Sequence, residues 1–175
     1  ESALQGFTGD LLLVNGDLPF LQASTYQRLV TSHRTANAAV SVLTATVDNP
    51  TSFGRILRNP AGQVVQIVEE RDATPTQRAI QEINVGQYCA ESTFLFSALR
   101  QLTPSNAQQE LYLTDIIEIG NGQGGRIGDA QAEAFEGEQI SSRADLARLE
   151  GLLRQQLTMQ WMEKGVTFED PATAY

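Results

Sequence analysis

Apolar residues gather in short runs near positions 10–14, 38–47, 54–58, 63–69, 83–90 and 126–135, rich in Val, Ile and Leu. Runs of that length bounded by Gly, Pro, Asn or Asp predict β-strands. Between them the apolar spacing turns helical. Helices are expected over 23–35, opened by Ser24 or Thr25, and over 75–82 with Pro75 in the first turn. Two more are expected over 92–102, capped by Ser92, and over 111–119. Strands alternating with helices predict a three-layer α/β fold. Asn59-Pro60-Ala61-Gly62 joins two of the strands as a hairpin, so the sheet is expected to be mixed. The last element is a long helix over 143–164 with Leu146, Leu149, Leu153, Leu157 and Trp161 on one face, a stripe that predicts packing against a sheet, and Gly165 ends it.

The stretch Asp10-Leu-Leu-Leu-Val-Asn-Gly-Asp17-Leu-Pro19 ends an apolar run on a carboxylate. It reads as a buried parallel strand that delivers Asp17 to its carboxyl end, where open α/β sheets bind their ligands. The same Gly-Asp is equally a turn that opens the next helix. Four further segments place polar groups at strand ends or turns. Gly54 precedes a strand, where the missing Cβ lets a ligand approach the backbone. Glu69 ends an apolar strand and can accept two hydroxyls at once. Asn84 interrupts an otherwise apolar strand, and Tyr112 and Thr114 start a helix. Each also has a plain structural explanation as turn glycine, solvated acid, strand-edge amide or helix start.

Charge narrows the choice of partner. With 21 acidic against 12 basic residues the 175-residue chain carries a net charge of −9, and no basic stripe offsets it, so nucleic acid is not an expected partner. An acidic protein that handles phosphates is expected to do so through a divalent cation. One Cys and one His, Cys89 and His33, exclude an internal disulfide and the usual zinc sets, and a reducing cytoplasm is the simplest setting. No apolar run is long enough to span a membrane, and the first residues do not form a signal peptide. The Gly-rich segment 120–125 lacks the Lys and Ser or Thr of a phosphate-cradling loop and reads as a connector. A chain that opens directly on a strand is expected to be the later portion of a larger α/β protein.

In order, the polar segments form a pattern: Gly16-Asp17-Leu-Pro, Asn49-Pro-Thr-Ser-Phe-Gly54-Arg55-Ile, Ile67-Val-Glu69-Glu-Arg-Asp72-Ala, Gln81-Glu-Ile-Asn84-Val-Gly86, Asn106-Ala-Gln-Gln-Glu110-Leu-Tyr112-Leu-Thr114-Asp115 and Gly165-Val-Thr-Phe-Glu-Asp-Pro171-Ala-Thr. With it the chain resembles, over nearly its whole length, the pyrophosphorylase domain of the bifunctional N-acetylglucosamine-1-phosphate uridylyltransferases (the GlmU family). That resemblance implies a Rossmann-like nucleotidyltransferase fold over 1–165 without its amino-terminal part, followed in 166–175 by the start of a linker towards a β-helix domain.

The resemblance also implies transfer of a uridylyl group from UTP to N-acetylglucosamine-1-phosphate with Mg²⁺ as cofactor, giving UDP-N-acetylglucosamine for cell-wall synthesis. Asp17 would hold the metal, Asn15 and Gly16 would line the nucleotide, and Gly54, Glu69 and Asn84 would contact the acetylamino-sugar, with Tyr112 and Thr114 around it. The second metal ligand of the family, the last Asn of Asn-Asn-Arg, maps onto Ser142 of Ser141-Ser142-Arg143. A Gly-rich triphosphate loop of the type Leu-Ala-Ala-Gly-x-Gly-Thr-Arg-Met has no counterpart here, so this chain alone is expected to be inactive. Homo-oligomers would form through the missing domain. Two alternatives stay open: a nucleotidyltransferase for another hexose-1-phosphate, and a non-catalytic module that binds a sugar nucleotide or a partner.

Overall fold

The computed structural model describes Leu4 and residues 6–174. The chain divides into two units, one of residues 1–15 and 22–134, the other of residues 16–21 and 135–175.

The first unit is built on a six-stranded sheet of β1 (Asp10–Leu13), β2 (Val40–Thr46), β3 (Arg55–Arg58), β4 (Val64–Val68), β5 (Glu82–Glu91) and β6 (Ile127–Gln131). Its order is β4-β3-β5-β2-β6, with β1 paired to the far end of β5. β2 and β6 pair in parallel and every other pair is antiparallel, so the sheet is mixed as expected. Side chains alternate across β2. Ser41 faces His33 of α1 (Ala23–Ala36), whose Nδ1 lies 2.9 Å from its hydroxyl. Val40 and Val42 face the opposite way, into a core with Ile56, Ile67, Tyr88, Leu95, Ile116 and Ile117, closed by α3 (Ser92–Leu99) and α4 (Asp115–Gly122). The sheet therefore lies between two helical layers. A one-turn helix, α2 (Pro75–Arg78), is held by a capping box between Thr74 and Gln77.

Several expectations are corrected. β1 is not a buried parallel strand: it pairs antiparallel with β5, Asp10 opposite Glu91 and Leu13 opposite Tyr88, and leaves Leu12 and Val14 exposed at 41% and 55%. An unbroken apolar run of four residues does not reveal how many faces are covered. β1, β2 and β6 all run opposite to β5 in direction. α1 has Gln22 as its N-cap, with no side-chain cap hydrogen bond, not Ser24 or Thr25. α3 is capped by Glu91, whose carboxylate accepts from the N–H groups of Thr93 and Phe94 at 2.9 and 2.7 Å, not by Ser92. A carboxylate satisfies two orphan donors where a hydroxyl satisfies one. α2 stops at Arg78, and α4 begins only at Asp115.

The second unit contains α5 (Arg143–Glu163), a single 3-10 turn at Ala134–Gly137 leading towards it, and another at Pro171–Thr173. The helix has the expected length, but its stripe is not covered: Leu149 is buried, while Leu146, Leu153, Leu157 and Trp161 are exposed. Phe20 meets Phe135 edge-on with ring centroids 6.4 Å apart.

Candidate functional site

In the first unit the candidate site forms where β3, β4 and β5 meet. Gly54 directly precedes β3, and its carbonyl accepts from the Asn84 N–H at 2.8 Å. A Cβ on Gly54 would stand 3.2 Å from Glu69 Oε1 and 3.0 Å from Ile67. The glycine is thus what allows the Glu69 carboxylate to sit against the backbone that carries Asn84. Three residues expected at a sugar site are brought into contact by three different strands.

β5 bends to make this possible. Val42 stands opposite Tyr88 and Thr44 opposite Asn84, so Val85, Gly86 and Gln87 bulge out against Leu43 alone. Gly86 sits at φ +80°, and a Cβ there would lie 2.7 Å from the side-chain amide of Asn15. Both the left-handed backbone and the close approach call for glycine. Asn15 is fixed further by its N–H, which donates to Gln87 Oε1 at 3.2 Å. Asn84 turns its Oδ1 back onto the Gly86 N–H at 2.9 Å and hydrogen-bonds the buried Tyr88 hydroxyl, whose pKa is raised by its burial.

Burial raises the pKa of Glu69. The nearby Thr114 hydroxyl opposes the rise, Asp72 and Asp115 add to it, and Arg55 opposes it. Thr114 is buried and its hydroxyl faces Glu69 without closing a full hydrogen bond. Tyr112 stands within electrostatic reach of Glu69 and donates to Gln108 Oε1 at 2.5 Å. The buried Arg55 braces the cluster: its guanidinium donates to Glu70 Oε2 at 2.5 Å, to the Phe53 carbonyl, and to the Arg78 carbonyl at 3.3 Å. Those bonds tie the segment before Gly54 and the turn after Glu69 to the end of α2.

A raised pKa means the folded state favours the protonated carboxyl. The ionised form of Glu69 is held at a cost above that raised value, and the cost disappears below the ordinary carboxylate range. Glu69→Gln is therefore expected to stabilise the chain near neutral pH by about 1 kcal/mol. Thermal melts at about pH 8 and about pH 4 check this, with the gain shrinking towards the acid end.

In the second unit Asp17 follows Gly16, which is exposed. Its carbonyl accepts from the Ile140 N–H at 2.9 Å, and its Oδ2 accepts from Gln139 Nε2 at 2.5 Å. Oδ1 is buried with no hydrogen-bond partner. A buried, unpaired carboxylate oxygen is costly unless a cation or donor meets it, so Asp17 fits the divalent ion implied above. Among the described residues no three His, Cys, Asp or Glu side chains gather at one point. Mg²⁺ keeps several waters and takes one or two protein oxygens plus phosphates, so a single carboxylate is a sufficient protein anchor for it. Ser142 has a different partner. It is the N-cap of α5, accepting from the Asp145 N–H at 3.1 Å and donating to Asp145 Oδ2 at 2.8 Å.

The family described as nucleotidyl transferase matches residues 2–162. The chain belongs to that family. Among curated nucleotidyl transferase relatives, the bifunctional protein GlmU of Geobacter metallireducens is 42% identical over 175 residues, covering 99% of this chain and 37% of its own length. GlmU of Geobacillus thermodenitrificans is 45% identical over 173 residues, covering 98% and 38%. This nucleotidyl transferase chain thus spans well under half the length of the relatives it matches. The fold is shared with solved structures: a CMP:2-keto-3-deoxy-manno-octonic acid synthetase complexed with CTP superposes with a TM-score of 0.63 at 14% identity, covering 89% of this chain and 66% of that one.

Three residues of this nucleotidyl transferase were not singled out from sequence as site residues: Arg55, Tyr88 and Gln139. Arg55 and Tyr88 had a faint signal, Arg55 as a charge within an apolar strand and Tyr88 as a residue four positions from Asn84 along β5. Gln139 had none, because its partner lies 122 residues away. Among the described residues no helix is long and apolar enough to cross a membrane.

Proposed function

We propose that this chain forms the sugar-recognising part of a Mg²⁺-assisted uridylyltransferase that makes UDP-N-acetylglucosamine and pyrophosphate from N-acetylglucosamine-1-phosphate and UTP in the complete protein. The observation that carries this reading is the contact of Gly54, Glu69 and Asn84, drawn from three strands, in a chain more than 40% identical to proteins named GlmU. Glu69 accepts sugar hydroxyls, Asn84 offers donor and acceptor together, and the Gly54 backbone admits the ring edge. Tyr112 and Thr114 border the ring, while Asn15 and Gly16 face the nucleotide.

Phosphoryl transfer of this kind needs alignment and charge neutralisation more than covalent help. An oxygen of the sugar phosphate attacks the α-phosphorus of UTP, and pyrophosphate leaves with the electron pair of the broken bond. The chain's residues hold the sugar so that its phosphate points in line, and Asp17 offers Oδ1 to the metal. When bound, the ion offsets the charge shared by the two phosphates. No side chain acts as nucleophile. Residues 166–175 are read as the start of a linker, and the single buried Cys89 suits a cytoplasmic setting.

A pyrophosphate-release assay on the complete protein tests the reading. N-acetylglucosamine-1-phosphate is expected to turn over with UTP and Mg²⁺, and to do so faster than glucose-1-phosphate. Equal or better turnover of glucose-1-phosphate would move the assignment to another hexose.

A further inference from the structure

We propose that Gln139 is the positioning residue of the metal-facing carboxylate, taking up the role next to Asp17 that Ser142 does not fill. The proposal rests on the assignment of Asp17 to the metal given above. Two consecutive residues grip Asp17 at two levels: the Ile140 N–H on its carbonyl at 2.9 Å and the Gln139 amide on Oδ2 at 2.5 Å. An ionised carboxylate only accepts hydrogen bonds, so the amide nitrogen, not the oxygen, faces it.

The bond divides the two carboxylate oxygens by task. Oδ2 is occupied by Gln139, while Oδ1 is left buried and unpartnered. A carboxylate otherwise rotates freely about its last bond, and locking one oxygen fixes the direction in which the other is presented. Ser142 cannot share that work as it stands. Its hydroxyl both accepts from and donates to Asp145 in closing the first turn of α5, and the residue is exposed. The Ser142 hydroxyl is directed at Asp145, whereas the Gln139 amide is directed at the metal-facing residue itself.

Removing such an outer partner characteristically weakens metal binding by roughly ten- to a hundredfold. The test is titration of the 175-residue chain with Mn²⁺ alone, followed by water-proton relaxation, with circular dichroism confirming the fold of each variant. Gln139→Leu is expected to weaken Mn²⁺ binding by about ten- to a hundredfold. Gln139→Met, which keeps length and bulk but lacks the donor, is expected to do the same and serves if Leu perturbs folding. Ser142→Ala is expected to lower the melting temperature through the lost cap and leave Mn²⁺ affinity unchanged. Wild-type affinity in both Gln139 variants, alongside loss of binding in Asp17→Asn, would remove the role of Gln139 and leave Asp17 as the ligand. Weakening by Ser142→Ala would return the role to Ser142. Binding that is absent in the wild type, or unchanged in Asp17→Asn, would overturn the Asp17 assignment and this proposal with it.

Discussion

Asp17→Asn is expected to lower turnover of the complete protein by at least about a hundredfold, or about 2.7 kcal/mol of transition-state stabilisation. The substitution keeps the shape of the side chain but removes the charge at Oδ1, the buried oxygen that no protein donor meets. It leaves the side chains proposed to hold the sugar unaltered, so the KM for the sugar phosphate is expected to change far less than kcat. Steady-state kinetics at saturating Mg²⁺ separate the two. A loss confined to KM would mean that Asp17 binds substrate and does not serve the metal.

The other large effect concerns Arg55. Arg55→Met is expected to cost about 1–3 kcal/mol of stability, because it leaves the carbonyls of Phe53 and Arg78 without their donor and, among the described residues, Glu70 with only Arg78, at 3.9 Å. Arg55 is only 1% exposed, while Glu70 is at 30%, so the penalty falls mainly on the carbonyls left without a donor and less on the partly hydrated carboxylate. Arg55→Lys is expected to recover part of this, since a single ammonium can pair with Glu70 but cannot span the carbonyls of Phe53 and Arg78 as well. Urea unfolding of the three proteins checks the order, and a midpoint for Arg55→Met equal to that of the wild type would show that the guanidinium contributes nothing net.

The strands were legible from sequence because Val, Ile and Leu runs have few other uses, and the hairpin at Asn59–Gly62 announced an antiparallel pair. Helix starts were legible less well. Ser92 looks like a cap for α3, but Glu91 outcompetes it by reaching two N–H groups. The leucine stripe of α5 was visible, yet helical spacing reports only that a face is apolar and not what covers it. Gly54, Glu69 and Asn84, which the structure brings together, each lie in a motif with local character. The Asp17 pairing with Gln139 and the brace at Arg55 depend on which distant segments meet, and no local pattern encodes that. The pairing of β1 was not legible, since a run of apolar residues does not say which strand it will lie against or in which direction.

β5 hydrogen-bonds to β1, β2 and β3 along its ten residues, and Asn84 and the Gly86 bulge are part of it. A strand shared among three neighbours opens only when much of the sheet opens with it, so its amides belong to the slowest-exchanging class of the chain. Asn84, proposed above to meet the sugar, is therefore anchored in a persistent region of the first unit. Substrate entry cannot be gated by fraying at that position, and any gating motion must fall to the irregular segments that flank it.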